Sequence, residues 1–135
     1  MKGTAFFCGL ALAAASLAAA EERAELKAAG VGRALFVQYC ASCHGIDAKG
    51  GGPTAEALKT QLPDLTSLSM KDGGFDEAGV RTSIDGTRAK AAHGSPDMPV
   101  WGKVFESRPQ KRGEAWAQTD IWALTEYIKS IQAQK

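Results

Sequence analysis

The stretch Cys40-Ala41-Ser42-Cys43-His44 contains two cysteines separated by two residues and a histidine that directly follows the second cysteine. Two thiols at this spacing can add across the two vinyl groups of a haem, and the adjacent histidine then lies under the iron as an axial ligand. The string therefore predicts covalent attachment of a c-type haem through Cys40 and Cys43, with His44 bound to the iron.

Three other kinds of site use a Cys-x-x-Cys pair. A thioredoxin-like redox site stands near alternating strands and helices, and no convincing strand-forming run accompanies this pair. A zinc site with His44 or His93 remains an alternative, but no second Cys pair or spaced His pair follows. A plain disulfide in an oxidising compartment would leave His44 without a role. The pattern favours haem over all three.

The first 20 residues have the layout of a secretory signal peptide. Lys2 is basic, the stretch from Ala5 to Leu17 is apolar, and the alanines at 18–20 precede two glutamates. This order predicts cleavage after residue 20, with an uncleaved anchor as the alternative, because the run is short for a membrane span. Cleavage implies export to the periplasm and removes Cys8 with the leader.

Residues 21–135 are the predicted mature chain, which suffices for one small domain. They carry 15 basic and 15 acidic side chains, and this balance argues against nucleic acid or an anionic membrane as a partner. The charge is unevenly placed, since residues 81–112 contain seven basic and three acidic groups. This segment is the basic part of the chain.

Two segments, one near each end of the mature chain, show helical spacing. Residues 31–40 predict a helix with Gly32, Phe36 and Cys40 on one face. Near the C-terminus, Thr119-Asp120 predicts a helix cap. The apolar residues that follow at helical intervals are Ile121, Leu124, Ile128 and Ile131. Between these two helices, Asp76 predicts the start of another helix that carries Val80 and Ile84 and ends at Asp85-Gly86.

A single Cys-x-x-Cys-His motif at the end of the first helix, together with an amphipathic last helix, resembles the monohaem class I c-type cytochromes of the small bacterial periplasmic kind. The resemblance spans nearly all of residues 21–135. In that family a glycine and an aromatic residue on the first helix cross a leucine and an aromatic residue on the last. The matching positions are Gly32, Phe36, Leu124 and Tyr127. The resemblance implies an all-α cytochrome c fold of about four or five short helices around one covalent haem c.

The resemblance also assigns the segment after the motif. Pro53 matches a Gly-Pro position that folds under the haem, where a backbone carbonyl accepts the Nδ1 proton of the axial histidine. Thr54 is expected to cap a short helix over residues 54–59. The stretch 63–66 resembles one that lines the haem edge in related cytochromes, although its residues are equally compatible with a plain turn.

The glycine and proline content of residues 93–102 predicts a loop. Within it, Met98 stands between two prolines and matches the methionine that the family places opposite the axial histidine, so we expect it to be the sixth ligand of the iron. His93 and Met70 are the competing ligands, and an ordinary apolar role for Met98 is the remaining alternative. Trp101 is expected to pack in the haem pocket together with Phe105.

A histidine and a methionine on the two sides of the iron leave no free position for a substrate. The resemblance therefore implies a periplasmic electron carrier, not an enzyme, that works as a monomer or as a subunit between redox protein donors and acceptors. No nucleic-acid partner and no membrane span after cleavage are expected. The alternatives are a permanently attached subunit of a dehydrogenase or oxidase complex and, less favoured, a haem peroxidase or a gas-binding cytochrome.

The basic segment predicts how a partner is recognised. In the family that the chain resembles, the haem edge is open where partners dock, and five of the seven cations of this segment are expected to ring it and attract an acidic docking surface. They are Arg88, Lys90, Lys103, Lys111 and Arg112. The competing interpretation of each one is an ordinary solvated side chain, and residues 108–112 as a whole are expected to form a solvated charged loop.

Overall fold

The computed structural model describes residues 5–58, 60–68, 74–87, 98–110 and 113–133, and for residues 5–14 it describes the backbone alone. All regular structure in these ranges is helical. The elements in chain order are α1 (Ala5–Tyr39), α2 (Ala41–His44), the 3-10 helix η1 (Ala55–Ala57), α3 (Glu77–Asp85), α4 (Trp101–Glu106) and α5 (Glu114–Ser130). The expected all-α fold is confirmed.

The first helix is much longer than residues 31–40. It runs without a break from Ala5 through the acidic stretch after residue 20 and ends at Tyr39, one residue before the predicted end. Side chains 15–27 are exposed, and burial begins at Ala28, which is 6% exposed. The part of α1 that joins the core is therefore its C-terminal third. Within the described residues, no helix combines the length and hydropathy that crossing a membrane requires.

Helices α1 and α5 cross at Gly32. A Cβ atom on Gly32 would overlap the carbonyl group of Ala123 and would lie 2.9 Å from the Cβ of Tyr127. One turn later on α1, Phe36 is fully buried, and its ring centroid lies 5.3 Å from that of Tyr127. Leu124, on the same helix as Tyr127, is 1% exposed. The helix crossing predicted from these residues is confirmed.

Helix α3 begins and ends as predicted. The Asp76 carboxylate accepts a hydrogen bond from the backbone N–H of Gly79 at 2.8 Å, and Gly86 closes the helix with a left-handed φ of 83°. Ile84 is buried, and Val80 packs against the same core. These two side chains tie α3 to the interior.

Helix α4 starts inside the segment that was predicted to be a loop. Trp101 and Gly102 are already helical, so the prediction of a loop over the whole of 93–102 is wrong at its end. Gly102 is buried because it lies against α3, where a Cβ atom would overlap the carboxylate of Asp85. The close contact between helices fixes the start of α4, which proline and glycine content alone does not show.

Helix α5 begins earlier than the predicted cap at Thr119-Asp120, since Gly113 occupies the N-cap position. Thr119 Oγ1 donates a hydrogen bond to the carbonyl of Ala115, one turn earlier in the same helix, at 2.9 Å. The capping prediction is wrong because these polar side chains have partners elsewhere. The buried residues of α5 nonetheless include Ile121, Leu124 and Ile128, as the spacing predicted.

Candidate functional site

The Cys-x-x-Cys-His string forms the junction between α1 and α2. Cys40 is the residue between the helices; its N–H donates to the carbonyl of Phe36 at 2.9 Å, and its carbonyl accepts from the N–H of His44 at 2.9 Å. Helical hydrogen bonding therefore continues through the bend, and both cysteines and the histidine lie on one short turn. All three side chains are half-buried.

Both thiols are free. Burial raises the pKa of the Cys40 thiol to about 12, and the neighbouring Cys43 adds to the shift. Cys43 Sγ lies 3.2 Å from Thr54 Oγ1, and the Thr54 hydroxyl itself donates to the carbonyl of Ser42 at 2.7 Å. Because that hydroxyl has one hydrogen, the Cys43 thiol is the donor in its contact with Thr54.

Thr54 was expected to cap a helix over residues 54–59. The helix is only the short η1, and the Thr54 side chain makes no capping hydrogen bond. Its hydroxyl is engaged with Ser42 and Cys43 instead. The capping prediction is wrong for this reason, and the contact with Cys43 is one that local sequence patterns do not reveal.

Burial lowers the pKa of His44, so its imidazole is neutral at pH 7, which is the form that binds a metal. The Nδ1 atom of His44 is buried and has no hydrogen-bond partner within the described part of the chain. The predicted bond to a carbonyl at Pro53 is thus not formed in this structure. A metal-bound histidine normally donates its other ring N–H to an acceptor, and Pro53 stays the predicted one.

The segment around Pro53 is fastened directly to the motif. The N–H of Gly52 donates to the carbonyl of Cys43 at 3.0 Å, and the N–H of Thr54 donates to the carbonyl of Ser42 at 2.9 Å. A Cβ atom on Gly52 would lie 2.6 Å from the Cys43 carbonyl carbon. Only glycine fits this close approach, which holds Pro53 beside the motif.

Three aromatic rings form a cluster next to the motif; we call Tyr39, Trp101 and Phe105 the aromatic cluster. Tyr39 directly precedes Cys40, and its ring centroid lies 5.7 Å from that of Trp101 and 5.4 Å from that of Phe105. The rings of Trp101 and Phe105 are stacked at 5.8 Å. The structure thus brings Trp101 beside the motif, and the role of Trp101 in a haem pocket stays a prediction.

Met98 lies just before α4, and its side chain is 37% exposed. The contact between Trp101 and Tyr39 holds the start of α4, and hence the end of the Met98 segment, near the residue that precedes Cys40. The role of Met98 as an iron ligand stays a prediction. The competing ligands Met70 and His93 lie outside the described residues.

Arg108 and Asp120 form an ion pair that sequence reasoning missed. Their side chains are 17% and 1% exposed, so the expected solvated loop over residues 108–112 is wrong at Arg108, while residues 111–112 lie outside the described ranges. The Arg108 guanidinium carbon stands 5.1 Å from the Phe105 ring centroid and 6.0 Å from that of Tyr39. Two opposite charges far apart in a chain give no periodic signal that would have predicted this pairing.

A second missed contact fixes the stretch 63–66, the predicted haem-edge segment. The Gln132 amide donates to the carbonyls of Leu65 and Ile128, each at 2.7 Å, and its Oε1 accepts from the N–H of Leu68 at 3.1 Å. Within the stretch, Asp64 accepts hydrogen bonds from the side chain and backbone of Thr66, which lower the pKa of its carboxyl. The stretch is therefore held by the C-terminal end of the chain.

The turn formed by Cys40 and α2 suits a covalently bound haem. It supplies two free thiols and a neutral imidazole whose buried Nδ1 has no hydrogen-bond partner among the described residues. The family model for cytochrome c matches residues 29–132, and no solved structure matches the chain. Because the family match covers most of the chain, this protein belongs to the cytochrome c family, whose members transfer electrons through the iron of a covalently bound haem c.

Proposed function

We propose that this protein carries single electrons on one haem held by Cys40, Cys43 and His44. The observation that carries this assignment is the turn formed by Cys40 and α2, which presents two free thiols and a half-buried neutral imidazole. Haem c supplies an iron that alternates between the ferric and ferrous states by one electron. The chain's own part is to fix that group covalently and to control its surroundings.

We propose Met98 as the ligand opposite His44. It is supported by its place just before α4, whose first residue contacts Tyr39 beside the motif. Two axial ligands from the protein would exclude a substrate or oxygen from the iron. On this basis the protein makes and breaks no substrate bonds and acts as an electron carrier.

Two further groups would tune the site. A carbonyl at Pro53 is the proposed acceptor for Nδ1 of His44, since hydrogen bonds on both sides of Pro53 hold it against the motif. Such a bond orients an imidazole and strengthens it as a ligand. Trp101, packed on Phe105 and Tyr39, would exclude water from one side of the haem.

The proposed location is the periplasm, after cleavage following residue 20. The supporting pattern is the basic, apolar and small-residue order of residues 1–20. Amino-terminal sequencing of the protein isolated from its own cells should begin at Glu21. A sequence that begins at Met1 would contradict cleavage.

The proposed partners are redox proteins with acidic docking surfaces. Of the five cations proposed to ring the haem edge, Lys103 is described; its side chain is 78% exposed and lies 3.3 Å from Glu106. The other four, at positions 88, 90, 111 and 112, lie outside the described residues. The same chemistry serves a diffusing carrier and a subunit of a redox complex, and co-purification of a second protein would distinguish them.

Peptide mass and absorption together test the haem assignment. Trypsin cuts after Arg33 and Lys49, so peptide 34–49 should carry the mass of one haem after acid extraction. The double variant Cys40→Ala, Cys43→Ala should yield little haem protein. Oxidised and reduced absorption spectra should show a low-spin c-type haem with two axial ligands. Release of the colour from the wild-type chain by acid would refute covalent attachment at this site.

A further inference from the structure

The Arg108–Asp120 ion pair is buried beside the aromatic cluster. Asp120 is 1% exposed and Arg108 is 17% exposed, so water screens neither charge well. The guanidinium of Arg108 packs on the rings of Phe105 and Tyr39 at 5.1 Å and 6.0 Å. A full positive and a full negative charge therefore lie inside the protein, on one side of these two rings.

The guanidinium of the pair contacts two rings of the aromatic cluster, which lies next to the haem motif. Tyr39 contacts the guanidinium and directly precedes Cys40. Phe105 contacts the same guanidinium and stacks on Trp101 at 5.8 Å. Charges placed behind an apolar layer act over longer distances than charges in water, because the effective dielectric constant is low.

A buried ion pair is weak evidence of a stabilising role. Burying two ions costs desolvation energy that their attraction offsets only partly, and a well-packed apolar pair of similar volume is often at least as stable. By contrast, charges near a haem alter the balance between its two oxidation states. A cation favours the ferrous state and an anion favours the ferric state, since the ferric state carries one more positive charge.

We propose that Arg108 and Asp120 are positioning residues for the reduction potential of the haem, each offsetting the effect of the other at the iron. The inference rests on the proposed attachment at Cys40, Cys43 and His44. It goes beyond that assignment because neither residue belongs to the haem motif. As a pair, the two charges would hold the potential between the higher value set by the cation alone and the lower value set by the anion alone.

Single neutralising variants test the proposal by the sign of their effect. Asp120→Asn leaves the cation of Arg108, which stays charged at any accessible pH, and should raise the potential measured by redox titration of the absorption spectrum. Arg108→Gln removes the cation and leaves the Asp120 carboxyl in place, and it should lower the potential. Arg108→Lys keeps the positive charge and should leave the potential close to that of the wild type.

If the ion pair has only a structural role, the potentials of the variants should change in a different way. If the pair only held α5 against α4, both neutralising variants would loosen the aromatic cluster, admit water to the haem and shift the potential in one direction. The double variant Arg108→Gln, Asp120→Asn removes both charges and should return the potential toward the wild-type value. Circular dichroism checks that each variant is folded. If one single variant is unfolded, the direction of the potential shift in the other, measured against Arg108→Lys, still tests the proposal.

Lys103 and Glu106 on α4 provide an exposed ion pair as a control. They form an exposed ion pair at 3.3 Å with side chains 78% and 34% exposed. Shifts caused by Lys103→Gln or Glu106→Gln should shrink when salt is raised to about 1 M, where the Debye length is about 3 Å. Shifts caused by Asp120→Asn should persist in the same salt.

The failure of this inference is distinguishable from failure of the proposed function. Absence of haem from wild-type peptide 34–49 would refute the attachment site before any potentials are compared. With haem present on that peptide, an unchanged or lowered potential in Asp120→Asn, or a raised one in Arg108→Gln, would overturn the charge-pair proposal and leave the attachment intact.

Discussion

Met98 presents a thioether sulfur on a short segment that ends where α4 begins. Its exchange for alanine should remove the weak far-red absorption of the ferric protein that marks sulfur bound to haem iron. Met98→Ala should also bind added imidazole or azide readily, and its potential should fall, because a thioether favours the ferrous state over harder ligands. Absorption spectroscopy and redox titration measure all three effects.

The control for Met98 is Met70→Ala, which removes the other methionine of residues 21–135. It should leave the far-red band in place. If Met98→Ala kept the wild-type spectrum while His93→Ala changed it, a histidine would be the second axial ligand and the assignment of Met98 would be wrong.

Glu126 is a buried carboxyl on α5, 5% exposed. Burial is the largest cause that raises its pKa above the ordinary value of 4.5, opposed by Lys129, which lies 3.6 Å away. A folded-state pKa above the unfolded one means that the protonated form stabilises the fold. This contribution is fully present below the unfolded pKa and is lost as the pH rises through the folded pKa.

Glu126→Gln should therefore gain stability relative to the wild type as the pH rises above 4.5. Urea denaturation of both proteins at several pH values measures the difference. Glu56→Gln, at an exposed carboxyl on η1, shows the effect of changing a carboxylate on the surface. A difference between Glu126→Gln and wild type that stays constant with pH would contradict the raised pKa.

At the residue scale, the structure places Cys40, Cys43 and His44 on one turn, as their spacing in the sequence predicts. Two thiols and an imidazole must lie within one turn, so their spacing in the chain is the signal. The hydrogen bond between Cys43 and Thr54 and the pairing of Arg108 with Asp120 join residues that are distant in sequence. No local pattern predicts such contacts. Because of them, the expected cap at Thr54 and the expected solvated side chain at Arg108 were wrong.

Helix packing makes Gly32 the most constrained glycine of α1. Gly32→Ala would force a methyl group into the Ala123 carbonyl, and we expect a loss of about 1 to 3 kcal/mol or more in the free energy of unfolding. Gly30→Ala, two residues earlier, meets nothing within 4 Å and should stabilise the helix by up to about 1 kcal/mol. Thermal or urea unfolding of the two variants measures the contrast.

Comparison of the two variants separates the effect of helix packing on stability from the effect of helix propensity. Both substitutions replace glycine by alanine within the same helix, so their intrinsic effects on the helix are similar. Equal stabilisation by both would show that α1 and α5 are farther apart than the structure has them. A loss confined to Gly32→Ala would confirm the close crossing.

At the element scale, prediction succeeded at positions where the local geometry strongly favours one type of residue. The glycine at the crossing and the Asp76 cap with Gly86 are such cases, since space and capping geometry each select a specific residue. It failed at the start of α5, where Thr119 and Asp120 resemble a cap but are engaged with Ala115 and Arg108. A capping pattern can be recognised from neighbouring residues in the sequence, whereas a competing partner elsewhere in the fold cannot.

Charge distribution over the whole molecule governs its encounter with a partner. Residues 81–112 carry a net charge of +4, whereas the rest of residues 21–135 is neutral or acidic. The rate of electron transfer to the native partner should therefore fall as the salt concentration rises. Dissolved ions screen the attraction, and its range is about 8 to 10 Å at ordinary ionic strength. Stopped-flow measurement of the second-order rate checks this.

Reversal of charge locates the docking side. Lys103→Glu with Lys111→Glu should flatten the salt dependence, whereas Lys27→Glu, at an exposed position on the first helix outside the basic segment, should change it little. The Arg108–Asp120 pair should contribute little to steering, because its buried charges offset one another. A rate that is indifferent to salt, or that increases with it, would contradict docking through the basic segment.

For the whole molecule, the fold class follows from the haem motif and the two terminal helices, and the family match over residues 29–132 confirms it. The position of the connecting segments does not follow from the sequence. It depends on single contacts such as the amide of Gln132, which fastens residues 65 and 68 to the end of α5.

The crossing of α1 with α5 joins the first helix to be synthesised with the last. The buried residues of α1, among them Phe36, pack on side chains that reach the growing chain only in its final helix. A chain that is still being synthesised therefore cannot pack Phe36 against Tyr127 until α5 has been made.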